Sequence, residues 1–320
     1  MPTSFTRPSR EELPLRNDSS TIHMTAYINR ASLEACTADH FRLGQWTIES
    51  SERNKTQSCR THTYSNITCL EDVTLLHLCK ALDYRSALLV GDSIMLALWT
   101  VVPLFVKKPA TQIGPCATGE GKCYGVCCRV WILPCANGTQ PIKLTFARHN
   151  HLIGRHMYKP VDSRVDDSWR DPRTLDRHPW LILSTGAHLT EVPDHNRSGT
   201  FELRAAELAS FLNKTHPHRL IYVKPQWGVD PFYEDVHGPT APVLPNITFR
   251  WDLLPAIGTA YSKALEAMGA VTVDPTLALA QRSDCRADFL HSAAEVYAQS
   301  TWRLVQAAAA LLTMRLSDRV

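Results

Sequence analysis

The sequence predicts an α/β protein: one three-layer α/β/α domain whose sheet is mostly parallel. Three observations carry that expectation. Short β-friendly apolar runs alternate along the chain with amphipathic stretches of helical period, and such alternation calls for long crossovers between parallel strands. One apolar run, Leu88-Leu89-Val90, stops abruptly at Gly91-Asp92-Ser93, and a second run with helical spacing (Ile94, Leu98, Val101, Val102) follows at once. Finally, 320 residues with 44% hydrophobic content can bury a sizeable core.

Taken in order, residues 1–35 are rich in Ser, Thr, Pro and charge and read as a flexible stem, with the domain itself spanning 36–320. Cys36 to Lys80 is a cysteine-bearing lead-in with little periodicity, followed by a short helical stretch through Leu75, Leu76, Leu78 and Leu82. A strand over about 86–91 and a helix over about 93–105 open the core. Pro109 to Asn137 is a loop set dense in Gly and Cys, interrupted by the apolar run Val130-Trp131-Ile132-Leu133. Pro141 to Ala147 alternates as a strand and exits at Arg148-His149-Asn150-His151. A charged, Pro-bearing loop over Tyr158 to Pro179 leads to a buried strand, Trp180 to Leu183, which delivers Ser184-Thr185-Gly186-Ala187-His188.

Phe201 to Lys214 carries one apolar helical face, and Arg219 to Lys224 is a strand halted by Pro225. A long loop, Gln226 to Pro245, holds several prolines and Trp227, which either stacks on a sugar or packs within the loop. Leu254, Ile257, Tyr261, Leu265 and Met268 mark another helix, and Ala270 to Val273 a short last strand. A turn holding Asp288 and His291 then precedes a closing helix from about Ala294 to Leu312.

A net charge of +3 with no basic block leaves no electrostatic footprint for nucleic acid. The apolar run from Ala87 to Val106 has the length of a membrane span, but it would bury Asp92 and it ends at Lys107-Lys108, so it reads as strand, turn and helix. Seven of the nine asparagines (Asn17, Asn54, Asn66, Asn137, Asn196, Asn213 and Asn246) open an Asn-x-Ser/Thr sequon, as in a chain glycosylated in the secretory pathway. Ten cysteines agree: nine crowd the N-terminal half and Cys285 stands close to Asp288. Disulfides suit an oxidising lumen, with zinc as the rival for Cys123-x-x-x-Cys127-Cys128. The first thirty residues are polar and hold no apolar signal core, so the expectation is a luminal or secreted protein whose signal or anchor is not in this sequence. A membrane enters only through such an anchor.

Ser93 falls where a buried strand turns into a helix. Gly91 lets the backbone turn sharply there, and a helix N-terminus offers N–H groups to a developing oxyanion, so Ser93 is a candidate nucleophile. Its other reading is a plain helix N-cap. The partner that a nucleophile needs lies near the chain's end, where Asp288 and His291 stand three apart. In a tight turn one carboxylate orients the imidazole while the other ring nitrogen faces a serine, which makes His291 the candidate general base and Asp288 its orienter.

Gly91-Asp92-Ser93 after a strand, Asp288-x-x-His291 near the end and the alternating chain between them resemble an SGNH/GDSL-type hydrolase. More narrowly, the chain resembles the PC-esterase branch, which includes plant trichome-birefringence-like glycan O-acetyltransferases, the luminal domain of sialic-acid O-acetyltransferase and fungal relatives. The likeness runs from Cys36 onward and rests on Cys36…Gly44-x-Trp46, Val90 to Ser93, Thr145 to Leu152, Leu181 to His188, and Asp288 to His291 followed by Trp302.

That resemblance implies a glycan O-acetyltransferase with a Ser93–His291–Asp288 triad, working through an acyl-enzyme in the Golgi lumen or outside the cell. A carbohydrate acetyl-esterase of the same fold and a non-catalytic glycan-binding relative are the alternatives. It further implies a glycan partner, an acetyl donor as co-substrate, no bound cofactor and no metal. Gly186, Ser184 and Arg148 become the candidate oxyanion and substrate contacts. Arg148 matches an arginine of the family's second motif, against the plainer reading of a surface salt bridge. Relatives usually carry an asparagine where Ser184 stands, so either a hydroxyl here substitutes for that donor or the oxyanion hole is weaker. His188 reads as a substrate contact or as a satisfied structural histidine.

Overall fold

The computed structural model describes residues 75–106, 129–135, 140–153, 167–190, 200–215, 219–225, 253–276 and 300–318, three short strands at 45–48, 62–65 and 111–113, and the positions Leu279 and Val296. A seven-stranded sheet forms the middle layer. Its strands are β3 (Ala87–Gly91), β4 (Thr111–Ile113), β5 (Val130–Leu133), β6 (Ile142–Arg148), β7 (Trp180–Ser184), β8 (Leu220–Val223) and β9 (Val271–Val273), in the order β4-β5-β6-β3-β7-β8-β9. From β6 to β9 every neighbouring pair is parallel, and β4 and β5 extend one edge antiparallel. The expected three-layer, mostly parallel α/β architecture is therefore what the chain adopts. A separate two-stranded antiparallel ribbon, β1 (Gln45–Ile48) with β2 (His62–Ser65), lies in the lead-in that showed little periodicity.

The strands β3, β7 and β8 are almost wholly apolar because both faces are covered. Ala87, Leu89, Phe146, Trp180, Ile182, Ile221 and Val223 join one core cluster. The alternate residues, Leu88, Val90, Ala147, Leu181, Leu183, Leu220 and Tyr222, join the other. Helices α1 (Leu75–Ala81), α2 (Ser93–Thr100), α3 (Val102–Val106) and α7 (Trp302–Ser317) pack on the first face. On the second lie α5 (Thr200–Thr215) and α6 (Leu254–Glu266). Their buried residues Ala205, Leu208, Leu212, Leu254, Ile257, Tyr261 and Leu265 are those the helical spacing selects.

Two boundaries differ from expectation, each for a local reason. The apolar stretch after Ser93 is two helices rather than one, because Pro103 brings no N–H to the ladder and fits only in a helix's first turn, so α3 restarts around it. Within the segment expected to be a loop over Tyr158 to Pro179, a 3₁₀ turn (Asp167–Arg170) leads into α4 (Pro172–Arg177). Asp171 caps α4 by accepting from Arg173 N–H, and Pro172 supplies the preset first turn. The closing helix, α7, runs past its expected end at Leu312 to Ser317.

Cys79 in α1 and Cys135 after β5 form a disulfide that closes a loop with sequence separation 56. In the chain-entropy account a loop of that size is worth about 4 kcal/mol. The other cysteines, the stem, Trp227, Asp288 and His291 lie outside the described residues. No helix among the described residues is long and apolar enough to cross a membrane, and the run from Ala87 to Val106 resolves into strand, turn and two short helices.

Away from the carboxyl ends of the strands, His178 is buried with both ring nitrogens engaged. Nδ1 lies 2.8 Å from the Thr174 carbonyl and Nε2 lies 2.9 Å from the Thr145 hydroxyl. The carbonyl can only accept, so Nδ1 carries the proton and Nε2 accepts from Thr145 in a neutral ring. Burial lowers the His178 pKa below its ordinary 6.5, opposed by the Thr174 carbonyl and helped by Lys143 and Arg177. The unfolded chain therefore binds a proton first as pH falls. This site's contribution is complete above pH 6.5 and is lost as pH falls from there toward the lowered folded value. Melting temperature measured from pH 7.5 down to about pH 5 should fall more steeply in the parent than in His178→Gln; parallel curves would refute the assignment.

Candidate functional site

Of the parallel strands β3 comes first in the chain. The second, β6, lies on one side of it and the third, β7, on the other. Strand order reverses there, and in open α/β sheets ligands gather outside the carboxyl ends at that point. Of the residues singled out from the sequence, Ser93, Arg148, Ser184 and Gly186 lie along this crevice, while Asp288, His291 and Trp227 lie outside the described residues. Gly91 ends β3 with Arg148 of β6 as its register partner on one side and Ser184 of β7 on the other. The row Arg148, Gly91, Ser184 thus runs across the sheet's rim, and Ser93 begins α2 two residues further on.

Glycine at position 91 is dictated by space. A Cβ there would lie 2.5 Å from the Ser184 carbonyl oxygen and 2.7 Å from Met95 Cβ. Gly186 is under a similar constraint, since a Cβ would lie 2.6 Å from Pro225 and 3.1 Å from Leu254. Both glycines let the exits of β3 and β7 approach what lies over them.

The cap of α2 is Asp92, not Ser93. Asp92 is fully buried, its Oδ1 accepts from Ile94 N–H at 2.9 Å, and its carbonyl accepts from Leu96 N–H. Ser93 is the helix's first residue and half-buried, so its N-cap reading is displaced. The first-turn donors that the cap does not use are those of Ser93 and Met95. Asp92 Oδ2 is buried with no hydrogen-bond partner.

Ser184 is 1% exposed, and its hydroxyl also has no partner. It borders a hollow walled by Ile94, Met95 and Leu98 of α2, by Val223 and Lys224 at the end of β8, and by Pro275, Leu279 and Thr301. Arg148, half-buried, donates from Nε to Asn150 Oδ1 at 3.4 Å, a residue of the same rim. Asn150 is itself buried, and its carbonyl accepts from the Thr185 hydroxyl at 2.9 Å, a bond that ties the exits of β6 and β7 together above β3. Leu152, buried in the same loop, has φ 58, a left-handed conformation that costs a bulky side chain about 1–2 kcal/mol.

Four histidines invite a catalytic reading, and the packing answers most of it. His149, fully buried, lies 3.0 Å from Asp167 through Nε2, and its Nδ1 accepts from His151 N–H at 3.4 Å, so the ring is committed on both sides. Partial burial raises the Asp167 pKa, but hydrogen bonds from His149 and Arg170 outweigh it and the carboxyl ends below its usual range. His151 takes Arg204 Nη1 at 3.3 Å on Nδ1, and the ring of His188 meets it edge-on at 6.3 Å. His188 is half-buried in a 3₁₀ turn at the exit of β7, and His178 lies at the other end of that strand.

Sequence reading missed Lys224 and Asp274, which pair at 3.3 Å just beyond β8 and β9. No local pattern joins residues so far apart; only their placement at the ends of two neighbouring strands does. The Asp92 cap was accessible, because Asp and Ser compete for the N-cap position and the residue nearer the strand takes it here. Among the described residues no group of three or more His, Cys, Asp or Glu is arranged to hold a metal ion.

No family model and no curated protein matches the sequence. Among solved structures the chain is similar to a lipase/acylhydrolase from Enterococcus faecalis, at 13% identity and TM-score 0.39 over 73% of this chain and 96% of that one. It is also similar to Est24, a carbohydrate acetylesterase from Sinorhizobium meliloti, at 16% identity and TM-score 0.40 over 74% and 100% of the two chains. A peptidoglycan O-acetylesterase matches at 10% identity and TM-score 0.39 over 77% and 96%. Likenesses this loose bear on neither the activity nor the substrate of this chain.

Replacing Gly91 by alanine should cost about 1–3 kcal/mol, because Met95 and the Ser184 backbone must both shift. Urea unfolding of Gly91→Ala beside the parent measures this, and a change within about 0.5 kcal/mol would disprove the close approach.

Proposed function

We propose that the protein is a serine acyl-transfer enzyme of the SGNH/GDSL type acting on acetylated glycans, and within that class a glycan O-acetyltransferase. The observation that carries this reading is the position of Leu279 and Thr301. Both residues wall the same hollow, together with Ile94 and Ser184. Leu279 and Thr301, which flank in sequence the stretch bearing Asp288 and His291, thus lie beside the first turn of α2. Trp302 reinforces the return by donating from Nε1 to the Leu98 carbonyl of α2 at 2.6 Å.

In this reading Ser93 Oγ attacks the ester carbonyl carbon while His291 takes the hydroxyl proton and Asp288 holds the imidazole tautomer. The alkoxide leaves with the proton from His291, and an acyl-enzyme remains. A sugar hydroxyl then gives its proton to His291 and attacks the acyl carbon, and Ser93 leaves with that proton from His291; water in place of the sugar would make the same site an esterase. The Ser93 N–H, the Gly186 N–H and the Ser184 hydroxyl are the proposed oxyanion donors, with Arg148 and His188 at the substrate side of the rim. The acetyl donor is a co-substrate and no bound cofactor is invoked. A luminal or secreted location goes with the sequons, of which Asn213 is exposed on α5, and with the Cys79–Cys135 disulfide.

Incubation with p-nitrophenyl acetate, with and without an acceptor oligosaccharide, tests this. The parent should release acetate or acetylate the acceptor, and Ser93→Ala should lower turnover on the order of 10⁴-fold. Release without transfer reassigns the protein as an acetyl-esterase, and silence in both conditions as a glycan binder.

Ser184→Ala separates a catalytic hydroxyl from a packing one. Removing a buried, unpartnered hydroxyl should leave the melting temperature unchanged or higher. If that hydroxyl donates only to the transition state, kcat should fall at least about tenfold with KM unaltered. An unchanged kcat would remove Ser184 from the oxyanion hole.

A further inference from the structure

Beyond the Ser184 hollow lies a second one, of about 160 Å³, on the far side of Lys224. Lys224, Pro225, Leu254, Thr259, Asp274 and Thr276 are among the residues that line it. Lys224 borders both hollows, and Pro225 and Leu254 are the residues that press on Gly186. The second hollow therefore begins one side-chain layer from the proposed oxyanion donors.

Its chemistry is mixed in a particular way. Lys224 and Asp274 are held at 3.3 Å with side chains only 15% and 20% exposed, so the wall carries both signs and no net charge. Lys224 Nζ has three donors, and the structure assigns one of them to Asp274. Thr259 and Thr276 add hydroxyls, while Pro225 and Leu254 supply an apolar patch. A hydroxyl is both donor and acceptor, so it satisfies an ammonium and a carboxylate in turn. A carboxylate ligand would face Asp274 and an ammonium ligand would face Lys224, each at a cost. An object with several hydroxyls around an apolar C–H face, on the scale of one pyranose ring, meets every requirement of the wall. Ser184, 1% exposed and with an unpartnered hydroxyl, borders the adjoining hollow.

We propose that the hollow between the ends of β8 and β9 and the first turns of α6 is a subsite for one uncharged sugar unit of the glycan, read by the Lys224–Asp274 pair. This rests on the acyl-transfer reading given above. Calorimetric titration of the full chain with xylotetraose, cellotetraose, chitotetraose and tetragalacturonate tests it, run beside p-nitrophenyl acetate turnover. At least one neutral tetrasaccharide should bind, tetragalacturonate should bind at least tenfold more weakly, and Lys224→Met and Asp274→Asn should each raise the neutral sugar's Kd at least tenfold. Thr259→Trp, on an exposed turn of α6 outside the ion pair, should block the hollow and give the same loss even where the pair variants do not fold. Binding that survives all three substitutions overturns the proposal. A protein that turns over p-nitrophenyl acetate but binds none of the tetrasaccharides loses the subsite and keeps the acyl chemistry. One that binds in this pattern without turnover keeps the subsite and loses the acyl chemistry.

Discussion

The carboxyl end of the sheet is organised by how closely β7 comes to β3 at Gly91. With the Ser184 carbonyl oxygen 2.5 Å and Met95 Cβ 2.7 Å from where a Cβ would stand, strand, neighbouring strand and following helix converge at one backbone position. Only an absent side chain lets α2 start directly beside the exit of β7. The row Arg148, Gly91, Ser184 and the placement of Ser93 all follow from that contact. A residue with any bulk at 91 would lift the first turn of α2 and carry Ser93 away from the exit of β7.

Holding α2 at that height is the work of indole rings drawn from across the chain. Trp99, on α2 itself, donates to the Leu144 carbonyl of β6 at 2.9 Å, and Trp131 of β5 donates to the Trp99 carbonyl at 2.9 Å. From α7, Trp302 reaches the Leu98 carbonyl and stacks on Phe105 of α3 at 5.4 Å between ring centroids. Each ring buries a large apolar area and still satisfies its one polar atom, the condition under which tryptophan is tolerated in a core. The helix that begins with Ser93 is thus pinned to the sheet, to its antiparallel edge and to the last helix together.

How far all this was legible varies with the kind of signal. The strands β3, β7 and β8 were plain because burial on both faces makes them almost wholly apolar, and α5 and α6 because an apolar residue recurs every three or four positions. The ribbon of β1 and β2 was not, since four residues of alternation are too few to stand out from a polar loop. The helix at Pro172 was signalled by Asp171-Pro172, but charge and proline pointed equally well to a loop. Within the site, the sequence named Ser93, Arg148, Ser184 and Gly186, all of which arrive at the same rim, while Asp288, His291 and Trp227 fall outside the described residues. Lys224 and Asp274 were invisible because their meeting depends on β8 and β9 being neighbours, which no local pattern encodes.

Asp92 poses the remaining question of design. As a cap it would be replaceable by Asn, Ser or Thr, none of which would leave a carboxylate oxygen buried without a partner, an omission worth about 1–3 kcal/mol. Among the described buried atoms that lack partners, Asp92 Oδ2 is the one carboxylate oxygen. The positive end of α2 offsets part of that cost. But the carboxyl also takes the Ile94 N–H for itself and, when ionised, sets a negative charge one residue from the candidate nucleophile. In an acyl-transfer site this raises the demand on the donors that remain, because a developing oxyanion must be held against a like charge nearby. On the acyl-transfer reading the Ser93 and Gly186 N–H groups would share that demand with the hydroxyl of Ser184, the register partner of Gly91 on β7.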